Sequence, residues 1–199
     1  MVESDVVRWV MTALFAAVTV TCLLRLASTA GRADRPAGFP RRHEDLGHIL
    51  MAVSMIAMVL SWTRVLPTPV WVALFAGQTA FSVYVLLRHR TAATGPPRQN
   101  NWDDAHHMVA GVGMIYMVVA MTGPMAVMAG MPAGTRSPLA GAIGVYLLGY
   151  AVWSGLRATR LGVVPAGWSG LPAVLGRPPV VNGCRAVMGA GMAFLLLTA

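Results

Sequence analysis

The sequence predicts an all-α polytopic membrane protein of six transmembrane helices, and three observations carry that prediction. Of 199 residues, 56% are hydrophobic and only 11% charged, and the apolar runs are too long and too poor in charge for a soluble core. Short stretches rich in Pro, Gly and Arg separate these runs. The basic residues gather beside alternate stretches, as a positive-inside bias requires. Residues 1–199 therefore read as a single integral membrane domain.

Span one, about residues 6–26, is longer than a signal-peptide core, follows Glu3 and Asp5, and lacks a small-residue cleavage site. It closes on Arg25, whose stem can snorkel to the interface. The Gly- and Pro-containing stretch from Ser28 to Glu44 is a linker. Span two, about 45–66, leaves the membrane at Trp62 and Arg64. Only Pro67 to Pro69 divide it from span three, which implies an antiparallel hairpin.

Span three, about 70–87, lies between Trp71 and Arg88-His89-Arg90 and has Gln78 as its one strongly polar interior residue. His43 and His89 are expected in solvated loops. After a Pro-, Gly- and Asn-rich loop, span four begins at Asp103 and runs to about 131, with a kink at Gly123-Pro124. Span five, about 139–156, carries Gly141, Gly144, Gly149 and Gly155, which permit close helix approach. Residues 161–179 can lie flat at the interface, and span six occupies about 180–197. The tryptophans at 9, 62, 71, 102, 153 and 168 mostly mark span ends, as an aromatic belt does.

All 15 basic residues are Arg. Those at 25, 32, 35, 41, 42, 88, 90, 98, 157, 160, 177 and 185 fall in or beside the first, third and fifth loops, whereas Arg8, Arg64 and Arg136 fall on the other side. This puts the three basic loops in the cytoplasm and both termini outside, in a bacterial inner membrane. The +8 net charge follows helix ends and forms no separate basic domain, so the partner it implies is the lipid bilayer and not nucleic acid. Cys22 and Cys184 lie near cytoplasmic helix ends, where thiols stay reduced.

One spacing occurs twice. Asp45, His48, Met55 and Met58 repeat as Asp104, His107, Met114 and Met117, the pattern Asp-x-x-His-x6-Met-x-x-Met. On a 3.6-residue helix these offsets set acid, imidazole and thioethers close to one face, polar end first. A degenerate third copy starts at Asn182 and contains Cys184, Met188 and Met192. Spans one, three and five also end alike, in Leu24-Arg25, Leu87-Arg88 and Leu156-Arg157, so three tandem helical hairpins would explain both regularities.

Thioether and imidazole together suit Cu(I), a preference that cysteine strengthens. His48 and His107 are the primary candidate ligands, one turn inside two helices of the same direction. Met55, Met114, Cys184 and Met188 support them, while Asp45 and Asp104 would accept a ring N–H and aim the other nitrogen at the metal. His106 points about a hundred degrees away from His107 and is expected to face water or lipid.

Two other accounts stay open. His48 and His107 could be axial ligands of a haem b, though haem leaves the Met stripe unexplained. Alternatively, Met is packing material, the histidines are interfacial, and Asp45 and Asp104 are helix N-caps in a noncatalytic scaffold or partner subunit of a membrane complex. A copper-handling protein would itself need a metal donor or acceptor protein. No HExxH, GxSxG, Walker or zinc-type CxxC motif occurs, so no catalytic residue is assigned.

The layout, the Arg-rich and Lys-free composition and the two Asp-x-x-His-x6-Met-x-x-Met segments resemble an actinobacterial family of small multi-pass membrane proteins known as a domain of unknown function. That resemblance implies a bacterial inner-membrane setting and no particular activity.

Overall fold

The computed structural model describes residues 5–30, 42–60, 66–92, 100–122, 138–159 and 174–198, with side chains throughout except at 89–92, 100–104, 120–122 and 198. These residues form six α-helices and no strand: α1 Asp5–Ser28, α2 Arg42–Val59, α3 Thr68–Ala92, α4 Asn100–Thr122, α5 Pro138–Ala158 and α6 Pro178–Thr198. The outer extension of span four to residue 131, the flat segment proposed for 161–173, and Trp62, Met125, Met128 and Trp168 lie outside the described residues.

The chain is an all-helical protein of polytopic membrane type. Four helices, α1, α3, α5 and α6, are long and apolar enough to cross a membrane. In each of them less than half of the apolar stretch is covered by the rest of the protein, from 17% for α3 to 44% for α6. Large side chains such as Val6, Trp9, Val10 and Leu23 on α1, or Val145, Val152 and Leu156 on α5, stand exposed. A solvent of lipid chains makes such faces stable, whereas in water they would form an adhesive patch. Trp153 is also exposed and has the Arg157 guanidinium 4.6 Å above its ring, an arrangement suited to the headgroup level.

Helix α2 has 18 residues, about 27 Å at 1.5 Å per residue, and its first turn carries Glu44 and Asp45. The apolar stretch of α4, Ala105–Val119, is shorter still.

Two compact units make up the chain: residues 1–64 with 145–199, and residues 65–144. In the first, α1 packs on α2, and α6 packs on both. The directions of these helices follow from three meeting points. Arg25 near the end of α1 bonds Asp45 at the start of α2, while Phe15, ten residues earlier, and Met55, ten residues later, both border Gly191. α1 and α2 are therefore antiparallel. Arg185 meets Glu44 where α6 and α2 begin, so those two run parallel.

The interior of this unit is formed by Phe15, Val18 and Cys22 of α1, Met51, Ala52 and Met55 of α2, and Cys184, Met188 and Met192 of α6, all buried. Gly191 permits the tightest approach. A Cβ there would collide with Cζ of Phe15, with Cε1 at 2.6 Å and Met55 Cε at 3.3 Å. Within lipid there is little hydrophobic drive between helices, so such close packing and buried polar pairs must hold them. α5 joins the unit through Leu147 and Ala151, which face Gly189 of α6.

In the second unit α3 packs on α4. Gly111 of α4 sits against Thr79, whose Oγ1 would meet any added Cβ. Phe75 of α3 and Ala110, Met114 and Met117 of α4 are buried. α1 packs on α2 and α3 on α4, while α6 packs on α1 and α2.

Candidate functional site

The first unit places a cluster of charged groups and thiols at the end of its core. Arg25 Nη1 donates to Asp45 Oδ1 at 2.8 Å, with the two side chains 1% and 0% exposed. Arg185 Nη2 lies 3.2 Å from Glu44 Oε2, and this pair is also largely buried. The Thr29 hydroxyl donates to the Arg25 carbonyl at 2.9 Å, and Arg42 donates to the Thr29 carbonyl at 3.3 Å. These bonds tie the end of α1 to the start of α2. An ionised side chain at such depth is stable only with a partner.

This geometry corrects the expectation that Arg25 snorkels to the interface. Its partner is twenty residues away on the neighbouring helix, and the ion pair draws the guanidinium inward. It also corrects the N-cap account of Asp45. α2 begins at Arg42, so Asp45 lies inside the first turn, and its carboxylate bridges to α1. The acid still faces the positive end of the α2 dipole. Asp104 is in the first turns of α4, but its side chain lies outside the described ones.

His48 is 3% exposed and therefore belongs to the protein interior. In the second unit His106 and His107 are 1% and 4% exposed, with ring centroids 5.9 Å apart at a steep angle. The expected water- or lipid-facing position of His106 is thus overturned. Both imidazoles are buried, although they point in different directions. His43 is half-buried within α2, and His89 falls in α3, so neither is a loop residue. The reason is the same for both: each helix extends past the limit that the charged residues suggested.

The soft donors divide between the units. His48, Met55, Cys184 and Met188 are all in the first, whereas His107 and Met114 are in the second. Each set is buried.

Two soft donors, Cys22 and Met51, were left out of the expected ligand set. Cys22 and Cys184 are free, buried cysteines whose side chains are within hydrogen-bonding reach of each other, with Arg25 beside Cys184. Helix geometry accounts for their meeting. Starting from the Phe15–Gly191 contact, seven residues forward on α1 and seven back on antiparallel α6 give Cys22 and Cys184, and seven residues is almost two whole turns. Met51 likewise joins the buried interior, one turn before Met55. The signal for Cys22 was its place on the face of Phe15, Val18 and Arg25. It could not be read without knowing which helix that face meets.

Among the described residues, no group of three or more His, Cys, Asp or Glu side chains is arranged to hold a metal ion. The donors that converge in the first unit are thus chiefly sulfur: two thiols, then thioethers.

The family described as a domain of unknown function, DUF5134, matches residues 40–199. No curated protein matches the chain, and no solved structure does. The matched region includes Glu44, Asp45, His48, Cys184 and Arg185, while Cys22 and Arg25 come from α1, ahead of it. A match over this much of the sequence makes the chain a member of the DUF5134 family, a family of unknown function.

Proposed function

We propose that this protein is a membrane-embedded soft-metal protein that binds Cu(I) and serves in copper handling or transfer. The observation that supports the reading best is the composition of the first unit's interior, where Cys184, Met188, Met55 and His48 are all withdrawn from solvent. Thiolate, thioether and imidazole donors favour Cu(I) over harder cations. His107 and Met114 supply a corresponding donor set in the second unit. In this reading six helices span a bacterial inner membrane, with α2 and α4 as spans whose polar first turns reach the headgroups, and with both termini outside.

Copper analysis of the purified full chain against a His48→Ala/His107→Ala variant tests the proposal. Lower copper per chain in the variant is expected. Equal copper in both proteins, or none in the wild type after loading with Cu(I), overturns it.

A further inference from the structure

We propose that Cys22 and Cys184 are the tightest Cu(I) site of this protein, a two-coordinate dithiolate formed between α1 and α6 beside Arg25. The inference rests on the copper reading above and adds a ligand, Cys22, and a coordination mode to it.

Three features converge. The helix register set by Phe15 and Gly191 brings the two thiols together, and both are free and buried. Around them the described His, Cys, Asp and Glu side chains provide no third ligand in a metal-holding group. Zinc, which takes four ligands in structural sites, is poorly served by two thiols. Cu(I) is satisfied by two thiolates in a linear arrangement, and the thiolate is the ligating form.

The third feature is Arg25. One of its donors goes to Asp45, but Nε and Nη2 are buried without a hydrogen-bond partner among the described residues. Buried guanidinium donors in that condition are costly. Binding balances as one Cu(I) ion and two thiols giving a dithiolate complex and two released protons. The complex carries one negative charge. Arg25, beside Cys184, has both the charge and the spare N–H groups to receive it. Met188 and Met51, further along the buried interior, are thioethers to which the ion could pass, weaker donors suited to release.

The experiment loads the detergent-solubilised full chain with Cu(I) alone under anaerobic, reducing conditions and then challenges it with a strong Cu(I) chelator. Wild type is expected to keep one copper per chain, with an X-ray absorption spectrum of two short sulfur neighbours and no nitrogen. Cys22→Ala and Cys184→Ala should each lose that copper, while His48→Ala/His107→Ala, which takes up less copper in total before the challenge, should keep this chelator-resistant ion. Retention by either cysteine variant overturns the dithiolate and leaves the wider copper reading standing. A wild type that never takes up Cu(I) overturns both. The absorption spectrum of wild type is decisive even if a variant misfolds, because three or more neighbours, or any nitrogen, refutes the assignment.

Discussion

Removing one member of the Arg25–Asp45 pair should destabilise the first unit far more than removing both. The two side chains are 1% and 0% exposed and bonded at 2.8 Å. In Arg25→Leu, the buried Asp45 carboxylate loses its α1 partner, and breaking a buried pair from one side costs about 3–5 kcal/mol. That corresponds to a population shift of roughly two to three and a half orders of magnitude. Asp45→Leu should cost a similar amount, since the guanidinium is then the orphan. In the double variant neither charge remains to be solvated, and apolar replacement of a buried pair is close to neutral. The measurement is reversible unfolding in mixed micelles followed by circular dichroism, run as a double-mutant cycle. Single costs that add in the double variant to within about 0.5 kcal/mol would show that the groups do not interact and refute this account of what ties α1 to α2.

Two further substitutions probe the helix contacts. Gly191→Ala drives a methyl into the Phe15 ring and against Met55, and overpacking of this kind costs about 1–3 kcal/mol; adding Phe15→Leu should recover part of the loss in the same unfolding assay, and no loss in the single variant would contradict the packing of α1 on α6. In the second unit, Gly111→Ala collides with the Thr79 hydroxyl, so the single variant should lower the unfolding midpoint and Gly111→Ala/Thr79→Ala should restore it; failure of the restoration would mean that the collision is not the cause.

The positions of the helices were legible in the sequence because the signals for them are local. Apolar runs, flanking arginines and prolines placed all six elements, with ends displaced by a few residues where a charge was taken for a boundary. Within the duplicated Asp/His/Met spacing, His48, Met55, His107 and Met114 are all buried. What local pattern could not supply was partnership. Arg25 reads as an ordinary interfacial arginine until a carboxylate on the next helix lies 2.8 Å away. Asp45 reads as a cap until α2 is seen to begin at Arg42.

The cysteines illustrate the division most clearly. By itself the sequence determined a polytopic helical membrane protein with soft donors concentrated on particular faces, because hydropathy and helical periodicity depend only on neighbours along the chain. Which faces meet was decided by tertiary structure alone. Cys22 and Cys184 stand at opposite ends of the sequence, and they come together because Gly191 admits Phe15 and α1 runs antiparallel to α6. A register of that kind is a property of two surfaces in contact, and a shift of one residue would turn either thiol by about a hundred degrees and separate the pair.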